Sequence, residues 1–189
     1  MSDASAYGPS ALATPANAVT VLRLLISPIL FSMIAHDGAT WPVFTLWVVL
    51  ASTDGVDGWI ARRHGTTRSG AFLDPLADKV LVLGAMFALV SNGRFLLLPV
   101  AIITAREIFI SLYRVYWSRR GLAVPARASA KAKTVTQLCA VGCAVLPLLA
   151  ETWWPADVLL WASVSLAVIS GAQYVLDGRS AATSMETSH

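Results

Sequence analysis

Four aspartates, Asp54, Asp57, Asp74 and Asp78, fall within "DGVDGWIARRHGTTRSGAFLDPLAD", a stretch bounded by two long apolar runs. The stretch also holds Arg62, Arg63, Arg68 and four glycines, in a chain only 13% charged. Carboxylates brought together repel and take up protons unless cations neutralise them. Hard divalent cations do this: Mg²⁺ takes carboxylate oxygens and keeps positions for water and phosphate. Four carboxylates suit two Mg²⁺, and such a pair clamps the attacking and leaving oxygens of an in-line phosphoryl displacement. The residue types therefore point to metal-assisted phosphate chemistry. A cation pathway or proton relay is the rival reading, but it expects acidic groups spread through the depth of a membrane. A lone helix-end charge would explain Asp54 or Asp78 singly, not four aspartates at matched spacing.

That chemistry needs two helices to present the carboxylates. At about 100° per residue, Asp54, Asp57, Gly58, Ala61 and Arg62 fall within an arc of roughly 140° on one helix. Gly70, Asp74 and Asp78 follow an i, i+4, i+8 row spanning roughly 80° on the next. The short connection between them predicts antiparallel neighbours whose acidic rows face each other. Gly58 and Gly70 allow a ligand close to the backbone.

Composition says where these helices sit. The chain has 189 residues, 56% hydrophobic, with a mean hydropathy of +0.65. Soluble domains are about 45–50% apolar and about 25% charged. The fold class expected is all-α integral membrane. Six apolar segments, near 18–35, 40–61, 71–91, 95–117, 130–150 and 153–176, each approach the ~20 residues of a spanning helix. The runs are continuous, unlike the alternating strands of a barrel. One membrane domain, 17–177, is expected between a flexible leader, 1–16, and a disordered tail, 178–189. Residues 1–16 contain no Lys or Arg, so no cleaved signal peptide is expected.

Positive charge orients the chain. Arg62, Arg63 and Arg68 follow the second segment; Arg119, Arg120, Arg127, Lys131 and Lys133 follow the fourth. The turns after the first, third and fifth hold only Arg94. The second and fourth loops, and with them both termini, are expected on the cytoplasmic side of the cell membrane. A basic face there suits anionic lipids or phosphorylated substrates, and no nucleic-acid partner is expected. Cys139 and Cys143 read as helix-packing residues, and His36, His64 and His189 carry no assigned role. The tryptophans lie mostly near segment ends, as interfacial anchors do.

The aspartate stretch resembles the signature of the CDP-alcohol phosphatidyltransferases, D-x2-D-G-x2-A-R-x8–9-G-x3-D-x3-D. It reads Asp54-x2-Asp57-Gly58-x2-Ala61-Arg62-x7-Gly70-x3-Asp74-x3-Asp78. The fixed positions match, and the spacer holds seven residues in place of eight or nine. The resemblance implies six transmembrane helices in a homodimer. It implies metal binding by Asp54, Asp57, Asp74 and Asp78, with Mg²⁺ or Mn²⁺ as the ions and Asp78 also the catalytic base. Gly58, Arg62 and Thr67 are the implied contacts to CDP-diacylglycerol.

"NAVTVLR", Asn17 to Arg23, is similar to the family's N-x2-T-x2-R element, which implies that Asn17, Ala18, Val19 and Thr20 close over the donor. Asn17 also reads as a helix N-cap. "TAREIFISLYR" and "SAKAKTVTQ" resemble the branch that makes phosphatidylglycerophosphate, with Ala130 where that branch carries glycine. That resemblance implies sn-glycerol 3-phosphate as acceptor. Its phosphate would be bound by Arg106, Arg114, Lys131 and Lys133, since guanidinium forks suit phosphate. Glu107, about 100° around the helix from Arg106, is expected to pair with another helix. Inositol phosphate, phosphatidylglycerol and serine are other acceptors within the family, and the basic pocket argues against serine.

Overall fold

The computed structural model describes the backbone of residues 15–64, 70–119 and 128–186, and side chains within 18–53, 76–116 and 131–174. Six α-helices fill it: α1 Pro15–Asp37, α2 Trp41–His64, α3 Gly70–Ser91, α4 Leu97–Arg119, α5 Ala128–Val145 and α6 Trp154–Glu186. Among the described residues there is no strand. The expected all-α architecture is therefore the observed one.

Three boundaries differ from expectation. Helix α1 starts at Pro15, so Asn17 lies inside the first turn and is not the N-cap. Proline suits that start, because its fixed φ is helical and its missing N–H would have had no partner there. Helix α5 stops at Val145, not near 150. Leu146 is extended, with ψ of 119°, and Pro147 opens a short 3₁₀ turn; proline disfavours helical backbone in the residue before it. Helix α6 runs on to Glu186, through most of the segment expected to be a disordered tail. "VLDGRSAATSME" contains no proline, and its one glycine costs only about 1 kcal/mol. Residues 1–14 of the leader and 187–189 of the tail lie outside the described residues.

The helices form two compact units. The first comprises residues 1–94 and 141–152, the second 95–140 and 153–189. In the first, α1 packs along both α2 and α3. Leu30, Ile34, Val43, Trp47, Leu50, Leu81, Met86 and Leu89 are buried. Gly84 admits the Phe31 ring of α1 where a Cβ would stand. The turns after α1 and α3 use Gly38 and Gly93 at φ of 64° and 79°, which glycine adopts without steric cost. Asn92 donates to the Ala35 carbonyl at 3.3 Å, and Arg94 to that of Thr152 at 3.3 Å. In the second unit α4 packs on α6.

Exposed side chains include Leu22, Leu25, Ile29, Phe109, Leu112, Val168 and Ile169, the outward apolar faces that lipid solvates. Two described segments are both long and apolar enough to cross a membrane, Ala18–Asp37 and Trp154–Tyr174, with hydropathies of 2.1 and 1.5. The other four helices carry charged residues among their apolar ones. In α2 the described apolar stretch is Trp41–Thr53, and Asp54 follows it in the sequence. Asp78 and Lys79 lie in α3, Arg106, Glu107 and Arg114 in α4, and Lys131 and Lys133 in α5.

Candidate active site

The two aspartate rows sit on helix ends. Asp54, Asp57, Gly58 and Arg62 occupy the last turns of α2, and α3 opens with Gly70 and carries Asp74 and Asp78. The side chains of Asn17, Asp54, Asp57, Arg62 and Asp74, and the whole of Thr67, lie outside the described residues. The facing of the two rows lies outside them too. The donor set itself is all carboxylate, the oxygen chemistry that Mg²⁺ selects.

Asp78 is described, and its carboxylate is held from α1. Arg23 donates from Nη1 to Asp78 Oδ1 at 2.7 Å and from Nε to Thr53 Oγ1 at 3.1 Å. Thr53 in turn donates to the Leu50 carbonyl at 2.7 Å. One guanidinium thus ties α1 to both α2 and α3 beside the aspartate rows. The Arg23 side chain is 1% exposed and that of Asp78 36%, so the pair runs from the interior to an open edge. Thr20, Arg23 and Ser27 are all buried and share one face of α1 by their i, i+3, i+7 spacing. Ala18 is exposed and Val19 half-buried. Arg23 ends the N-x2-T-x2-R element, and its partner is not among the residues that element singles out. The available signal was an arginine inside an apolar helix, which needs a partner.

The second unit holds the other charged cluster. Arg106 donates from Nε to the Ala167 carbonyl at 3.1 Å, from Nη2 to Ser170 Oγ at 2.7 Å, and from Nη1 to Glu107 Oε1 at 2.8 Å. The same Glu107 oxygen accepts from Lys133 Nζ. Glu107 thus pairs with another helix, α5, as its position on α4 predicts. It also meets its own neighbour, because the long Arg106 side chain folds back across the step between them.

Small residues on α6 seat the guanidinium. Ala167, Ser170 and Gly171 are spaced i, i+3, i+4, and a Cβ on Gly171 would lie 3.6 Å from Arg106 Cγ. These contacts leave Arg106 one further N–H on each terminal nitrogen. Lys133 is buried, while Lys131 and Arg114 are exposed. Arg106 and Lys133 therefore converge through Glu107. Gln137, one turn beyond Lys133, is also buried.

The chain is similar in sequence to known proteins. A family model for CDP-alcohol phosphatidyltransferases matches residues 13–169. A probable phosphatidylglycerophosphate synthase of Mycobacterium tuberculosis (strain H37Rv) is 34% identical over 174 residues, 89% of this chain and 83% of the relative. A CDP-diacylglycerol–glycerol-3-phosphate 3-phosphatidyltransferase of Bacillus subtilis (strain 168) is 38% identical over 133 residues, covering 68% and 69%. The protein of that name from Escherichia coli (strain K12) is 37% identical over 131 residues, covering 65% and 71%. The matched region takes in α1 to α5 and the first part of α6, and with them the charged residues of both clusters; the chain belongs to the CDP-alcohol phosphatidyltransferase family.

Proposed function

We infer that this chain transfers the phosphatidyl group of CDP-diacylglycerol to the 1-hydroxyl of sn-glycerol 3-phosphate, giving phosphatidylglycerophosphate and CMP. The observation that carries the reading is the complete aspartate signature on the ends of α2 and α3, with Asp78 held by buried Arg23. The relatives' names supply the substrates.

Asp54, Asp57, Asp74 and Asp78 would hold the two Mg²⁺ or Mn²⁺ ions. When bound, these polarise the diphosphate and stabilise charge on the departing CMP. The acceptor hydroxyl oxygen forms a bond to the lipid-bearing phosphorus, and the bond from that phosphorus to CMP breaks. Asp78 takes the hydroxyl proton, with Arg23 fixing the direction from which the carboxylate approaches. Gly58, Arg62 and Thr67 contact the cytidine diphosphate, and Asn17 to Thr20 close over it. The acyl chains stay in the membrane.

Arg106, Arg114, Lys131 and Lys133 recognise the acceptor's phosphate. Glu107 holds Arg106 and Lys133 together and lowers the cost of holding them without ligand. This unit favours a phosphorylated acceptor over an uncharged one. The basic second and fourth loops favour a reaction at the cytoplasmic face of the cell membrane, and the family resemblance favours a homodimer. There the lipid donor and the water-soluble acceptor each remain in their own phase.

The test is purified protein in detergent with CDP-diacylglycerol and Mg²⁺, offered sn-glycerol 3-phosphate, inositol phosphate or phosphatidylglycerol in turn. CMP release with the first alone supports the reading. Release with inositol phosphate or phosphatidylglycerol reassigns the acceptor, and metal-dependent ion flux without CMP replaces the enzyme with a transporter.

A further inference from the structure

Gln137 is the described residue that the account above leaves unused. Its side chain is buried, with 3% of the residue exposed, and its amide Nε2 has no hydrogen-bond partner. A buried donor without a partner is costly and uncommon in a folded protein. A glutamine kept in that state needs a reason. Leucine or methionine would fill the same volume without the penalty. Glu107 accepts from both Arg106 and Lys133, and Arg106 is seated on α6.

Position narrows the ligand. Gln137 lies four residues after Lys133 on α5, and such residues share a helix face with Cβ atoms about 5–6 Å apart. Lys133 belongs to the group assigned to the acceptor's phosphate. On that assignment, a group one turn away is within reach of what the phosphate is attached to. An amide can donate to and accept from a hydroxyl, and being neutral it does not compete for the phosphate. sn-Glycerol 3-phosphate carries one hydroxyl that reacts and a second, on carbon 2, next to the phosphate-bearing carbon.

We propose that Gln137 is a specificity-determining residue that reads the 2-hydroxyl of a three-carbon polyol phosphate, its unspent amide N–H being satisfied only when the acceptor binds. This rests on the acceptor reading given above. A site built to hydrogen-bond a hydroxyl rejects the analogue lacking it, because its own polar group is then left unpaired.

The experiment compares sn-glycerol 3-phosphate with propane-1,3-diol monophosphate, which keeps the phosphate and the reactive hydroxyl but lacks the 2-hydroxyl. Wild-type protein should prefer the former in kcat/KM by about 100-fold or more. Gln137→Met should reduce that preference to within about threefold, raise KM for sn-glycerol 3-phosphate and leave KM for CDP-diacylglycerol unchanged.

The Gln137→Met protein without ligand should melt no lower than wild type, and sn-glycerol 3-phosphate should raise its melting temperature less. Undiminished preference in Gln137→Met overturns the assignment, as does a lower melting temperature with equal effects on both substrates, which marks a packing role. Wild-type protein that turns over with neither acceptor overturns the acceptor reading itself, and this proposal with it.

Discussion

Arg23 Nη1 lies 2.7 Å from Asp78 Oδ1, and the two residues are 55 positions apart in the chain. The contact joins the first helix to the last aspartate of the signature. It places a buried cation directly behind the carboxylate assigned as base. Because Nε of the same guanidinium binds Thr53, the arginine is held at two points and cannot swing away with Asp78.

That arrangement makes Arg23 a positioning residue. Arg23→Lys keeps the charge but cannot satisfy both partners in the fixed fork geometry. We expect kcat to fall about 100-fold, since misplacing a reacting group by an ångström has such an effect. KM for sn-glycerol 3-phosphate should change little. Steady-state CMP release checks this; an equal rise in both KM values with kcat intact would assign Arg23 to substrate binding.

Asp78→Asn preserves shape and removes the base. Turnover should fall by about 10³-fold or more, within the range for loss of a general base together with a metal ligand. The protein should remain folded, as judged by helical circular dichroism and elution volume in detergent. Retained turnover would take the proton-accepting role away from Asp78.

Glu107 and Lys133 should differ sharply in stability when truncated. Glu107→Leu leaves part-buried Arg106 and buried Lys133 without their shared carboxylate. Breaking a buried pair by removing one partner costs about 3–5 kcal/mol. Lys133→Met removes one cation while Arg106 still neutralises Glu107, so its loss should be clearly smaller. Unfolding in mixed micelles measures both; equal losses would mean Arg106 contributes nothing to holding Glu107.

Gly84→Ala should destabilise the first unit without touching any charged group. The new Cβ would stand inside the Phe31 ring, so α1 and α3 must separate or the ring must turn. Overpacking of this kind costs about 1–3 kcal/mol. Gly84→Ala with Phe31→Leu should recover much of the loss, and failure to recover it would show that the ring is not the obstacle.

The fold class and the position of the aspartates on the ends of α2 and α3 were legible because each has a local signature. Apolar runs near 20 residues mark helices, and the i, i+3 and i, i+4 spacing of the aspartates marks their faces. Helix ends were less legible. Only the proline rules, applied to Pro15 and Pro147, locate the start of α1 and the stop of α5. The extension of α6 to Glu186 follows from helix propensity in a segment whose polarity suggested disorder. Partner choice was least legible. That Glu107 seeks another helix follows from its position on α4, but its choice of Lys133 follows from how α4 and α5 meet. Arg23 and Asp78 belong to separate motifs, and nothing in their spacing joins them until α1 packs on α3. Ser170 and Gly171 carry no charge, so their seat for Arg106 leaves no compositional trace.

The central claim is metal-dependent phosphatidyl transfer to sn-glycerol 3-phosphate. Its most direct measurement is the stoichiometry of products from purified protein with CDP-diacylglycerol, labelled sn-glycerol 3-phosphate and Mg²⁺. One CMP should appear for each labelled phosphatidylglycerophosphate, chelation should stop both, and restored Mg²⁺ or Mn²⁺ should return both. CMP formed without labelled lipid, or labelled lipid formed undiminished after chelation, would contradict the account.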